Sequence, residues 1–346
     1  CGNSGTTARL LSGVLTGQPF WTLLTGDASL RRRPMGRIAE PLRRMGATIV
    51  GRAEGTRLPL AIRGAERPHA IEYATPVASA QIKSAVLLAG LGADGPVTVI
   101  EPAPSRDHSE RMLRRFGARL ATSGRAVTLT PGPLRATSVV VPGDVSSAAF
   151  LLIAGAIVAD ARVTLHQVGV NPTRTGLLDV LAAMGARVQA SGQADEGEPT
   201  ASLTVTAGAL RATTIGGALI PRLIDEVPVL AVAASVASGV TVVADAAELR
   251  VKESDRIAAI GRELGKMGAA IEERPDGMAI TGGRRLHGAE VGSGGDHRMA
   301  MSLAIAALVA DGPTYIDDVA CVNTSFPQFA ETINALAGRT VITVEQ

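Results

Sequence analysis

Five times along the chain a helical segment closes on a glycine and gives way to a short strand. The copies are "LRRMGATIV", "LRRFGARLA", "LAAMGARVQ", "LGKMGAAIE" and, in a worn form, "NALAGRTVI". Their glycines are Gly46, Gly117, Gly185, Gly268 and Gly338, so the unit recurs at roughly 70 to 80 residues, a period that marks an array of equivalent units. Glycine just past a last helical turn is the residue expected where the backbone turns left-handed. Upstream lie apolar strands such as "GPVTVIEPA", "ARVTLHQVG", "GVTVVADAA" and "GPTYIDDVA". Before each of these comes an almost wholly apolar helix: "SAQIKSAVLLAGL", "SSAAFLLIAGAIV", "VPVLAVAASVAS" and "RMAMSLAIAALVA". An Ala-rich helix without a polar face is a buried one. The unit therefore reads buried helix, strand, loop, amphipathic helix, Gly-Ala, then strand or hairpin. "TTARLLSGVL" is the buried helix of the first copy.

Copies one and two reach about Val141, and "VVVPGD", Val139 to Asp144, reads as a crossover to copies three to five. This predicts a first lobe over 1–141, a second over 142–346 and a hinge near 139–144. Two copies against three is lopsided, and the simplest repair is a further copy upstream of Cys1, giving two lobes of three.

Composition agrees with a packed α/β array. Of 346 residues 46% are apolar but only 2% aromatic, so Ala, Val, Leu and Ile must build the core. A net charge of +2 makes no case for nucleic acid, which asks for a basic face with stacking aromatics. The apolar stretches are shorter than a membrane span, and Cys1 and Cys321 make no disulfide framework, so a cytoplasmic enzyme without membrane partners is expected.

Charged and hydroxyl residues collect at the start of each buried helix and in the loop entering each amphipathic helix. These loops are "NSGTTAR", "GDASLRRRPMGR", "PVASAQIKSA", "EPAPSRDHSER", "IDEVP", "RVKESDR", "GDHRMAM" and "NTSFP". If the copies are related by rotation, equivalent helix starts form a collective positive pole, to which Arg9, Arg33, Arg106, Arg256 and Arg298 add. Guanidinium forks match carboxylate and phosphate geometry, so a ligand with several such groups is expected. Each loop alone also has a plainer reading. Ser254 or Asp255 could cap a helix while Lys252 and Arg256 sit in solvent, Pro34 could open a helix at its first position, and Asp225 could be an N-cap. His297 alone is more often structural than catalytic.

Taken together, "GNSGTTARLLSG", "GDASLRRRPMGR", "ASAQIKSAVLLAGL", "SRDHSERML", "PGDVSSAAF", "NPTRTG", "IDEVPVLAVAA", "LRVKESDR", "GDHRMAMSL" and "TSFPQF" closely resemble the 5-enolpyruvylshikimate-3-phosphate synthase family. The resemblance runs in order along the whole chain. It implies a two-lobed inverted α/β barrel of βαβαββ units, six in the family and five visible here, hinged so that substrates close the cleft. It implies transfer of the enolpyruvyl group of phosphoenolpyruvate to the 5-hydroxyl of shikimate 3-phosphate with release of phosphate, a step of aromatic amino-acid biosynthesis inhibited by glyphosate. It implies no cofactor, no metal and a monomer.

Residue by residue, the resemblance places Ser79, Ala80, Gln81, Arg106, Asp225 and Lys252 on shikimate 3-phosphate. It places Gly5, Arg33, Gln81, Arg256 and Arg298 on phosphoenolpyruvate, with Asn3 and His297 as further candidates. Glu253 matches the acid that protonates the methylene carbon, and Asp225 the base that accepts the hydroxyl proton. Ala80 departs from the many relatives with a second serine there, and Asn323, Thr324 and Ser325 stand where some members carry a lysine. An upstream motif of the type G-[DS]-K-S-x-x-x-R, whose lysine touches both substrates in active members, has no counterpart in these residues. Enolpyruvyl transfer to UDP-N-acetylglucosamine is the nearest alternative, but its loop cysteine has no match in "GDASLRRRPMGR". A catalytically dead fragment that still binds substrate is the other.

The chemistry favours the same residue types. The methylene carbon of an enol phosphate must take a proton before its neighbour becomes electrophilic, so a carboxylic acid is needed. The attacking hydroxyl must lose its own proton to a base. Arginines that hold carboxylate and phosphate turn a two-substrate encounter into a positioned one.

Overall fold

The computed structural model describes residues 1–195 and 197–345; Glu196 and Gln346, the last residue of the expected second lobe, lie outside them. Two compact units divide the chain, Cys1–Val140 and Val141–Gln346. Each is built around its own apolar core.

Among the described residues, helices of eight residues or more alternate in character. In the first unit these are Gly5–Leu15, Gly36–Arg44, Ala80–Gly90 and His108–Arg115; in the second, Val145–Ile157, Gly176–Ala183, Val227–Val236, Arg256–Lys266, His297–Ala307 and Phe329–Ala337. Apart from Gly5–Leu15, the first of each pair is apolar and sunk in its core; in Val227–Val236 every residue through Ser235 is buried. The second closes on the repeated glycine, and Gly46, Gly117, Gly185, Gly268 and Gly338 all have positive φ, from +65° to +98°. A side chain at these positions would strain the backbone, which is why glycine recurs there.

One complete unit runs strand Glu72–Ala74, helix Ala80–Gly90, strand Val97–Ile100, helix His108–Arg115, then strands Arg119–Ser123 and Ala126–Thr130. The first two strands pair in parallel, which requires the intervening helix as a crossover. The last two form a hairpin whose second strand inserts beside Val97–Ile100. Val97, Val99, Val127 and Leu129 turn one sheet face to the core. Strands Thr214–Ile215, Val240–Val243, Gly277–Thr281 and Ala270–Arg274 repeat this order in the second unit. Between these copies, the leading strand shrinks to a single parallel bridge from Gly143 to Val168.

Three local expectations are corrected. The last copy has no hairpin: after Gly338 the described residues form neither helix nor strand. Asn334 accepts the N–H groups of Val341 and Ile342 at 2.7 and 2.9 Å and donates to the Ile342 carbonyl at 2.8 Å, so a side chain takes the place of a ladder partner. Helix Gly5–Leu15 is only half buried, with Leu11 and Val14 exposed. Its small-residue face meets helix Ala80–Gly90 so closely that a Cβ on Gly13 would lie 2.1 Å from the Ala85 carbonyl oxygen. Pro34 does not open a helix; the chain is extended at Arg33 and the helix begins at Gly36. Among the described residues no helix is long and apolar enough to cross a membrane.

Candidate active site

In the first unit, two helix starts and two arginines converge on Gly5. Ser4 caps helix Gly5–Leu15 by accepting the Thr7 N–H at 3.0 Å. Ser79 caps helix Ala80–Gly90, with its oxygen 3.5 Å from the Ile82 nitrogen, and Ala80 is that helix's first residue. Arg33 Nη2 donates to Asn3 Oδ1 at 2.8 Å, and Asn3 Nδ2 donates to Asp27 Oδ2 at 2.7 Å. Burial opposes charge on Asp27, but the Leu30 N–H, the Asn3 amide and Arg33 outweigh it and hold the carboxyl below its usual range. Arg9 Nη1 donates to Gln81 Oε1 at 2.9 Å, while Gln81 Nε2 donates to Thr6 Oγ1 at 2.9 Å. A Cβ on Gly5 would lie 2.8 Å from Arg9 Nη1 and 3.5 Å from Arg33 Nη1. Asn3, Gly5, Arg33 and Gln81 are thus brought together, with Arg9 and Thr6 among them. Helix N-terminal dipoles and guanidinium groups make this a place for an anion. Arg106 is partly buried in the loop before helix His108–Arg115.

In the second unit the centre is Arg256. The plain reading that left it in solvent is wrong: the side chain is fully buried at 0% exposure, because carboxylates surround it. Arg256 Nε donates to Asp296 Oδ2 at 2.8 Å, and Nη2 donates to Asp296 Oδ1 at 3.2 Å and to Glu253 Oε2 at 2.7 Å. Nη1 lies 3.6 Å from Asp225 Oδ1 and makes no hydrogen bond. Lys252 Nζ is also 3.6 Å from Asp225 Oδ1. Asp255 caps the helix, accepting the Ala258 N–H at 3.1 Å. Asp225, expected as a possible N-cap, lies in a short 3-10 turn instead, and Glu226 occupies the cap position without a side-chain bond to the helix.

Asp296 is the residue sequence reasoning passed over. It is fully buried and also accepts the Ser254 hydroxyl and the Arg298 N–H, each at 3.0 Å. Burial opposes its ionisation, but Arg256 outweighs that and holds the carboxyl below its usual range. Burial, seconded by the Arg298 charge, pushes His297 down, which favours a neutral imidazole. Asp225, Lys252, Glu253 and Arg256 therefore share one cluster, with Arg298 joined by its backbone and His297 beside it. A second buried network, also unforeseen, joins "PGDVSSAAF", "NPTRTG" and "IDEVP": Ser146 donates to Glu226 Oε1, and Arg174 donates to Ser146. Among the described residues no group of three or more His, Cys, Asp or Glu could hold a metal ion.

Comparison with known proteins gives a consistent result. The model of the EPSP synthase (3-phosphoshikimate 1-carboxyvinyltransferase) family matches residues 1–333. A 3-phosphoshikimate 1-carboxyvinyltransferase of Gloeobacter violaceus is 61% identical over 333 residues, covering 95% of this chain and 77% of the relative. A solved EPSP synthase from Acinetobacter baumannii superposes with a TM-score of 0.88 at 45% identity, covering 99% of this chain and 79% of that one. The enolpyruvyl transferase NikO of Streptomyces tendae shares the fold, with a TM-score of 0.76 at 19% identity over 94% of this chain and 75% of that one.

Proposed function

The chain belongs to the EPSP synthase family and is an enolpyruvyl transferase of that kind, and we propose how its residues divide the reaction. Phosphoenolpyruvate and shikimate 3-phosphate are the substrates; the enolpyruvyl group passes to the 5-hydroxyl and phosphate leaves. The observation that carries the assignment is the Arg256 cluster. One buried guanidinium touches Glu253, faces Asp225 and is fixed from behind by Asp296. Its Nη1 has N–H bonds to offer an incoming carboxylate.

Arg256 and Arg298 hold phosphoenolpyruvate in this reading, as do Arg33, Gln81 and the small Gly5, with Asn3 orienting Arg33. Ser79, the Ala80 N–H, Gln81 and Arg106 take the phosphate of shikimate 3-phosphate, and Asp225 and Lys252 its ring hydroxyls. Glu253 delivers a proton to the methylene carbon, and the electron pair of the C=C bond forms the new C–H bond. The 5-hydroxyl oxygen attacks the electron-poor C2 and loses its proton to Asp225, giving a tetrahedral ketal phosphate. A methyl proton then returns to a carboxylate, the C=C bond reforms, and the C–O bond to phosphate breaks. Two carboxylates divide the proton traffic, one held protonated as the acid and the other ionised as the base. The comparisons do not favour UDP-N-acetylglucosamine as acceptor or a binding-only fragment.

A cytoplasmic, monomeric enzyme is the accompanying proposal: two free cysteines, Cys1 and Cys321, agree with a reducing compartment, and the monomer rests on the family resemblance; sedimentation at the dimer mass would refute the monomer. The functional reading is tested by phosphate release from the two substrates together. We expect Glu253→Gln to lower turnover by about 100-fold or more, the usual worth of a general acid, while shikimate 3-phosphate still binds. Normal turnover in that variant would remove Glu253 from the acid role.

A further inference from the structure

Beneath the start of helix Ala80–Gly90 lies a buried ion cluster that the proposed mechanism does not use. Lys83 Nζ sits 2.8 Å from Glu101 Oε2 and 2.7 Å from Glu110 Oε1, and all three residues are at most 5% exposed. Glu101 has a second task. Its other oxygen, Oε1, accepts the backbone N–H of Ser79 at 3.2 Å. Ser79 is the cap of that helix, with its own hydroxyl aimed at the Ile82 N–H. A loop residue whose backbone and side chain are both bonded has little freedom left, and here the backbone anchor is a carboxylate clamped by a buried ammonium.

We infer that Glu101, held by Lys83, is a positioning residue for shikimate 3-phosphate: it fixes the Ser79 backbone and with it the phosphate-binding turn. The inference rests on the reading that Ser79 and its neighbours take that phosphate. The turn leads into the helix N-terminus, where free N–H groups point outward, so a small tilt changes how many reach one phosphate. Gln81, by contrast, is anchored independently by Arg9 and Thr6. The phosphoenolpyruvate contacts assigned to it therefore do not depend on Glu101. Glu110 lies on the far side of Lys83, and its Oε2 is buried without a hydrogen-bond partner. The cluster formally carries one more negative charge than positive, so neutralising Glu110 removes a buried charge excess while leaving the Ser79 anchor in place.

The test compares Glu101→Ala with Glu110→Gln in the full chain. Each leaves Lys83 one carboxylate, so both are balanced ion pairs. Glu101→Ala is expected to raise the KM and the directly measured Kd for shikimate 3-phosphate about 10-fold, with kcat and the phosphoenolpyruvate KM moving less than about 3-fold. Glu110→Gln is expected to leave the shikimate 3-phosphate Kd within about 2-fold and the melting temperature unchanged or raised. A Glu101→Ala protein that melts lower yet binds shikimate 3-phosphate normally while folded would reduce Glu101 to a structural role and overturn the inference. Equal loss of affinity in both variants would overturn it as well. Failure of the parent chain to bind shikimate 3-phosphate would instead sink the functional reading on which the inference stands.

Discussion

Single residues in this protein act through the charges they are packed against. Arg256 is tolerable in a core because Asp296 meets it with two hydrogen bonds, at 2.8 and 3.2 Å. Asp296→Ala would leave a buried guanidinium short of its main partner, and a destabilisation of about 3–5 kcal/mol is expected in denaturant melts. The pH dependence has a definite sign. Asp296 has a lowered native pKa, so between that value and 3.8 the unfolded chain binds the extra proton. Its stabilisation is therefore present above pH 3.8 and is lost as pH falls through the native value; Asp296→Asn should flatten that acid limb. Gly5 works by absence: an added Cβ would press on Arg9 Nη1 at 2.8 Å. Gly5→Ala is expected to displace that guanidinium and weaken glyphosate inhibition. Unchanged inhibition would argue that Gly5 lies away from the phosphoenolpyruvate site.

At the scale of elements, caps and close approaches set where helices start and how tightly they pack. Asp144 caps helix Val145–Ile157 by accepting the Ser147 N–H at 2.8 Å, and Asp144→Ala should lower stability by about 1 kcal/mol. Gly13→Val should be far more damaging, because the Ala85 backbone has no room to yield. The amphipathic helices were legible from their closing glycines, and the buried ones from unbroken apolar runs. The leading strands were not read from the residues: Glu72–Ala74 and Thr214–Ile215 are too short to show an alternation. The resemblance supplied what periodicity lacked. Pro34 misled because a proline is compatible with a helix start but does not require one.

For the whole molecule, the division into Cys1–Val140 and Val141–Gln346 means that each core answers for its own unit. Leu203 is completely buried in the second core, and Leu203→Ala should cost about 2–5 kcal/mol there. Calorimetry is expected to show the loss in the transition of the Val141–Gln346 unit and not in that of Cys1–Val140. The repeat, the glycine stops, the apolar helices and the ordered motif series were determined by local sequence, because helical periodicity and left-handed turns are local properties of the chain. Tertiary structure alone decided the burial of Arg256, the partnership of Asp296 from 40 residues away, and the Lys83–Glu101 anchor under Ser79. A charged residue reads as solvent-facing until its counter-charges are known, and those counter-charges are brought by distant strands and helices that only folding makes neighbours.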